Sequence, residues 1–225
     1  MLLDANPDDL ELSGGFVRQK NDRERAVAFR HAAGLIHWDP GSLPRPVSLY
    51  AAAAFTPQQA RAAAADDTIN SSLCYGFVAD VAAVRIDPLT LQLTVEKLST
   101  VHDAGTVLNP ALFDGQVHGA VAHGLGGAFF EEMRYSDDGQ LTTGTFMDYL
   151  CPTSAEAVFP LVSEHVQTPS PYTRLGAKGC GEGSSMSVPA ALANAVADAL
   201  SPLGVDLNAL PVHGDVLHSL MEGER

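Results

Sequence analysis

The sequence predicts an α+β fold with its strands in pairs. Three observations carry that expectation. Two apolar, β-branched runs meet across a proline turn at 77–100, a glycine-bearing stretch of helical length covers 111–133, and an alanine-rich stretch follows Ser187.

Taken in order, residues 1–50 alternate short apolar runs with turn signals, SGG at 13–15, DPG at 39–41 and LPRP at 43–46. No long periodic element stands out, so strands and loops are expected there. Thr56-Pro57-Gln58-Gln59 has capping-box spacing and precedes ARAAAADD, which predicts a short helix. FVADVAAVRI at 77–86 reads as a strand, DPLT at 87–90 as a turn with proline second, and LQLTVEKLST at 91–100 as the returning strand of a hairpin.

Asn109-Pro110 opens the next element. ALFDGQVHGAVAHGLGGAFFEEM has helical length but carries Gly115, Gly119, Gly124, Gly126 and Gly127. Each interior glycine costs a helix about 1 kcal/mol relative to alanine, so burial on several sides with close backbone approach is expected. SDDGQ at 136–140 is a turn, TTGTFMDYL at 142–150 reads as a strand, and 160–175 reads as loop, with two prolines in TPSPYT. Ser187 then caps a helix with Val188-Pro189 in its first turn and AALANAVADAL as its body.

The totals narrow the classes. The chain has 225 residues, 46% hydrophobic and 18% charged, which suits a packed globular protein. No apolar run approaches the ~18 residues of a membrane span. The acidic start, MLLDANPDDLEL, lacks the basic region of a signal peptide, and cytoplasm is the expected compartment. The net charge of −14 arises entirely after residue 61, and such a surface repels nucleic acid. Cys74, Cys151 and Cys180 form no C-x-x-C pair and are too few to hold an iron–sulfur cluster, which needs four thiolates.

The densest chemical signal is GAKGCGEGSS at 176–185, four glycines around Glu182 with Lys178 four residues before it. Glycine at that density serves positive φ or close approach. The loop is neither a Walker A motif, since Gly179 follows Lys178, nor a dinucleotide fingerprint. Glycines before a serine-capped helix can cradle an anion. A tight turn is the plain alternative, but a turn has no need of a carboxylate. A positioned carboxylate can act as general base, worth ~10²- to 10⁴-fold. His118 and His123, five apart, do not share a helix face, and no His-Glu-x-x-His or Gly-x-Ser-x-Gly occurs, which argues against zinc and serine-nucleophile chemistry.

VHDAGTVLNPALFDGQVHGAVAHGLGGAFFEE, GTFMDYLCPTS and TPSPYTRLGAKGCGEGSSMSVPAALANAVADAL occur in one order. Together they resemble the C-terminal part of the molybdenum-binding subunit of the molybdenum hydroxylases, the family of xanthine dehydrogenases, aldehyde oxidoreductases and aerobic carbon monoxide dehydrogenases. The resemblance runs from about residue 70, and LLDANPDDLEL resembles the segment where the family's last domain begins. It implies one molybdopterin-binding domain over 1–225, with a subdomain boundary near 70–76.

The resemblance also implies roles. Glu182 matches the glutamate beside molybdenum that acts as catalytic base, and Gln116, implied to bind the cofactor, belongs to the Gly-Gln motif of the glycine-rich helix. His123 stands where many members carry a glutamine on the pterin, Lys178, Gly179 and Gly181 frame the base, and Ala104 replaces a frequent cysteine. No side chain of this stretch is implied as a metal ligand. The implied cofactor is a molybdopterin-type molybdenum cofactor, the cytosine dinucleotide form included. The implied reaction adds oxygen from water to an electron-poor carbon of an N-heteroaromatic or aldehyde, with electrons leaving through Fe–S and FAD subunits. Because family subunits are far longer, a split molybdenum subunit is expected. A second molybdenum-subunit chain, a [2Fe–2S] subunit and an FAD subunit would be its partners, in a dimer of heteromers. Two other readings stay open at this stage: a non-catalytic structural or truncated subunit, and a binder of a phosphorylated ligand at the glycine-rich loop.

Overall fold

The computed structural model describes residues 2–55, 66 and 72–223. The helix expected from Thr56 lies, apart from Asp66, outside these residues. The chain divides into two units, Met1–Pro57 and Gln58–Arg225.

In the first unit β1 (Leu10–Ser13), β2 (Phe16–Gln19) and β3 (Asp22–Ala28) form an antiparallel meander. The sequence reading of strands and loops throughout is corrected by α1 (Phe29–Trp38). Its residues 32–36 are half-buried in one run while Arg30, His31 and His37 are exposed, so no 3.6-residue alternation marks these ten residues as a helix. Ala28 at its N-cap makes no side-chain capping bond, so the usual start signal is missing.

The second unit is built on β4 (Phe77–Ile86), β5 (Leu93–Asp103) and β6 (Leu161–Val166). β4 and β5 are the expected antiparallel hairpin. Asp87 closes it, its Oδ1 accepting the amides of Leu89 and Thr90, each at 2.9 Å. β6 falls within a segment expected to be loop, so that expectation is corrected. It pairs parallel with β5, from Leu98↔Leu161 to Asp103↔Val166. A parallel pair needs a long crossover, and α2 (Pro110–Phe129) lies in it. Six residues are too few for periodicity alone to reveal the strand.

TTGTFMDYL is not a strand either. Thr145 turns the chain back: its hydroxyl donates to Asp148 Oδ2 at 2.7 Å, and its carbonyl accepts the amides of Asp148 and Tyr149. This local threonine capping displaces ladder pairing.

α3 (Gly183–Leu200) begins four residues before the expected Ser187 cap, and Pro189 lies inside it. The Ser187 hydroxyl is turned inward, donating to Gly183 O at 3.2 Å and also bonding Asp80. α4 (Gly214–Glu222) closes the described chain and seats Leu217 fully buried.

The core lies between one face of the β4–β5–β6 sheet and helices α2 and α3. Leu98 and Ala104 from β5 and its exit, Phe113, Val117, Val121 and Leu125 from α2, and Val188, Leu192, Val196 and Leu200 from α3 are all buried. The α3 residues recur every four positions, one stripe down the helix. Each such side chain contributes about 1.5–3 kcal/mol on burial. Gly124 sets the helix crossing: a Cβ there would lie 2.8 Å from Val188 Cβ and 2.9 Å from the Ser184 carbonyl. The expectation of burial on several sides of α2 holds at Gly124 and at Gly126, where a Cβ would meet Glu131 and Pro152, but not at Gly115, Gly119 or Gly127, where it would meet nothing within 4 Å.

Candidate active site

The glycine-rich loop is held at both ends. At its start, residues 176–178 pair with 104–106. Lys178 N–H donates to Ala104 O at 2.8 Å, and Gly176 O accepts from the amides of Thr106 and Ser170. Gly176 is the only glycine of the loop at positive φ, +73°. The Lys178 ammonium donates to Asp103 Oδ2 at 2.9 Å and to Thr168 Oγ1 at 2.7 Å, with the Phe77 ring centroid 5.9 Å away. The Thr168 hydroxyl also donates to Asp103. This hydroxyl first, then the ammonium and the amides of Gly105 and Thr168, holds the Asp103 carboxyl far below its ordinary value.

At its other end the loop becomes the first turn of α3. A Cβ at Gly183 would lie 2.5 Å from Val78 Cγ2 and 3.2 Å from His102 Cε1, so only glycine lets the helix start this close to the sheet. The next side chain, Ser184, is fully buried. Its Oγ lies 2.9 Å from His102 Nε2, 3.2 Å from Thr100 Oγ1 and 3.5 Å from Asp80 Oδ1. Burial lowers the His102 pKa, with Asp80 opposing that shift. Thr100 and His102 were not singled out from the sequence, although VHDAG contains the second of them. Their signal is alternation: Leu98, Thr100, His102 and Ala104 share one buried face, where two polar residues demand partners.

Between these anchors the backbone lines a cleft of about 580 Å³. Gly179, Gly181 and Glu182 border it with Phe77, Val78 and Met186. Glu182 is the N-cap residue of α3, with an exposed side chain. Its carbonyl accepts from Ser185 Oγ at 2.7 Å, while its carboxylate makes no hydrogen bond among the described residues. It is the only acidic side chain among the described residues lining this cleft.

A smaller hollow of about 210 Å³ adjoins, bordered by Gln116 and Lys178 and sharing Cys180 with the first. Gln116 Oε1 would lie 3.1 Å from a Cβ at Gly181, which brings α2 against the loop. His123 borders neither space. It stands seven residues along α2 from Gln116, two turns up the same exposed face. His118 and His123 are both exposed, and among the described residues no cluster of three His, Cys, Asp or Glu could hold a metal ion.

The family model of the molybdopterin cofactor-binding domain matches residues 1–158. The loop and Glu182 fall beyond that range, but the relatives extend over them. The nicotine 6-hydroxylase large subunit of Paenarthrobacter nicotinovorans is 35% identical over 93% of this chain and 24% of its own length. Subunit gamma of the 6-hydroxypseudooxynicotine dehydrogenase complex of the same organism is 35% identical over 99% of this chain and 26% of its own. Among solved structures, quinoline 2-oxidoreductase from Pseudomonas putida 86 superposes with a TM-score of 0.73 at 31% identity, over 98% of this chain and 27% of that one. The chain thus spans about a quarter of the length of these relatives.

Proposed function

The chain belongs to the molybdopterin cofactor-binding domain family, and from that premise we propose that it forms the Glu182-bearing part of a molybdenum hydroxylase acting on an N-heteroaromatic carbon. The observation that carries the proposal is Glu182 itself, a carboxylate held at the mouth of a cleft by a loop anchored at Asp103 and at Ser184.

The residues present fit a pterin-type cofactor. Gln116 and His123 lie on one exposed face of α2, and neither side chain makes a hydrogen bond among the described residues. Gly119 lies between them and Gly127 just beyond, where a side chain would meet only open space. Bare backbone flanked by an amide and an imidazole suits a flat group with polar edges. On this reading Gln116 and His123 bind the cofactor, Gly179 and Gly181 let it approach, and Lys178 holds the loop through Asp103. The cofactor, when bound, supplies the two-electron acceptor and the water-derived oxygen.

The overall change converts a carbon–hydrogen bond and water into a carbon–hydroxyl bond, two protons and two electrons. Glu182 takes a proton at its carboxylate as the oxygen loses it, and the exposed carboxylate can pass that proton to solvent. Phe77 and Met186 on the cleft wall offer apolar surface to a flat ring. The names of the relatives favour an N-heteroaromatic substrate, since nicotine and quinoline are both of that class. The electrons leave to Fe–S and FAD groups on partner subunits, in keeping with a relative named as a subunit of a complex. On this reading the remaining contacts come from sequence outside these 225 residues, which the chain's coverage of about a quarter of its relatives' length supports.

The test is elemental analysis and turnover of the complex purified from its host. About one molybdenum per copy is expected, and Glu182→Gln should keep the metal while losing ~10²- to 10⁴-fold in kcat on quinoline-type substrates. A molybdenum-free complex, or an undiminished Glu182→Gln enzyme, would sink the proposal.

A further inference from the structure

We propose that His102 is a positioning residue for Glu182, acting through the hydroxyl of Ser184. The inference rests on the reading of Glu182 as the base.

Four residues on two strands converge on the first turn of α3. Val78 and Asp80 of β4 face His102 and Thr100 of β5 directly across the ladder. Above them sit Gly183, Ser184 and Ser187, on three of the first five positions of α3. Val78 and His102 leave no room for a Cβ at Gly183, so the helix axis cannot shift toward the sheet. Asp80 accepts from Ser187 and takes part of the Ser184 hydroxyl, which fixes the far side of the turn. The near side, next to Glu182, is held by the 2.9 Å contact between His102 Nε2 and Ser184 Oγ.

Rotation of this turn about the helix axis is the motion these contacts oppose. Glu182 is two residues from Ser184 and has no side-chain bond of its own among the described residues. Its direction is therefore inherited from the turn. The Phe113 ring meets the His102 ring edge-on, centroids 5.9 Å apart, and fixes the imidazole plane from α2. Burial favours the uncharged imidazole, which suits a place beneath a helix N-terminus, where a cation is disfavoured. A misplacement near 1 Å at a reacting group can cost about 100-fold in rate without loss of binding.

Two readouts test this. In the holoenzyme, His102→Leu should lower kcat about 100-fold with KM and molybdenum content unchanged. His102→Gln should recover most of that loss, because its amide can still reach Ser184. The second readout needs no cofactor. Cys180, half-buried two residues before Glu182, reports the loop. In the full chain, alkylation of Cys180, mapped by peptide mass, should accelerate in His102→Leu and Ser184→Ala but not in His102→Gln. Equal Cys180 rates in all variants would overturn the proposal, and so would molybdenum loss that tracks the kcat loss. An active Glu182→Gln enzyme would instead overturn the base reading, and the Cys180 rates would still judge the His102–Ser184 contact.

Discussion

Lys178 Nζ lies 2.9 Å from Asp103 Oδ2, with the two side chains only 9% and 11% exposed. A partner this well screened from water behaves as a buried pair. Removing one member leaves the other charge uncompensated. Because Asp103 keeps the Thr168 hydroxyl and the amides of Gly105 and Thr168, Lys178→Met should destabilise the chain by about 1–3 kcal/mol, read as a lower urea midpoint at unchanged slope. An unshifted midpoint would mean that solvent replaces the ammonium at no cost.

The same site fixes a pH dependence. The Asp103 carboxyl is held far below its ordinary value of 3.8, so on acidification the unfolded chain takes the proton first. Stability from Asp103 is then complete above about pH 4 and is lost as pH falls below it. His102 acts in a higher window. Its pKa is lowered from 6.5 by burial, so the unfolded chain again binds the proton first, and stability falls as pH drops through about 6.5. Denaturant midpoints measured from pH 8 to 3 should show both declines. His102→Gln should flatten the upper one and Asp103→Asn the lower.

Much of this was legible in the sequence, for reasons that differ by element. The 77–86 strand announces itself as an apolar, β-branched run before a proline turn, and the helix opening at Asn109-Pro110 by its length, and the structure has both. α1 and β6 do not, because one lacks a capping side chain and the other has six residues whose ladder partner lies some 60 positions earlier. The Glu182 loop was conspicuous by composition. What holds it was not, since Asp103, Thr168, His102 and Asp80 meet it only through tertiary contact. Ser187 misled for the same reason: its hydroxyl serves Asp80 rather than a helix start.

On the proposed reading, Gln116 and His123 contribute to cofactor retention and not to folding. Both are exposed and without side-chain hydrogen bonds among the described residues. Gln116→Ala and His123→Ala should each leave the thermal midpoint within the ~0.5 kcal/mol typical of surface changes. Each should lower molybdenum per copy in the purified complex. Full metal content in the double variant would remove both residues from the cofactor site.

Three positions apart on one helix, Gly124 and Gly127 should respond in opposite directions to the same added methyl. At Gly124 the new Cβ would press on Val188 Cβ at 2.8 Å and on the Ser184 carbonyl at 2.9 Å. The second of these is backbone and cannot swing away. Overpacking of that kind costs about 1–3 kcal/mol, and here it would also push α3 from α2 at Ser184, two residues from Glu182. At Gly127 the Cβ would meet nothing within 4 Å, so alanine adds only its helix preference, a gain of up to about 1 kcal/mol. Gly124→Ala should thus lower the unfolding midpoint and raise the Cys180 alkylation rate, whereas Gly127→Ala should raise the midpoint and leave that rate unchanged. If both variants shifted the same way, the helix crossing would not depend on close approach at Gly124, and the tight seat of the α3 N-terminus would need another cause.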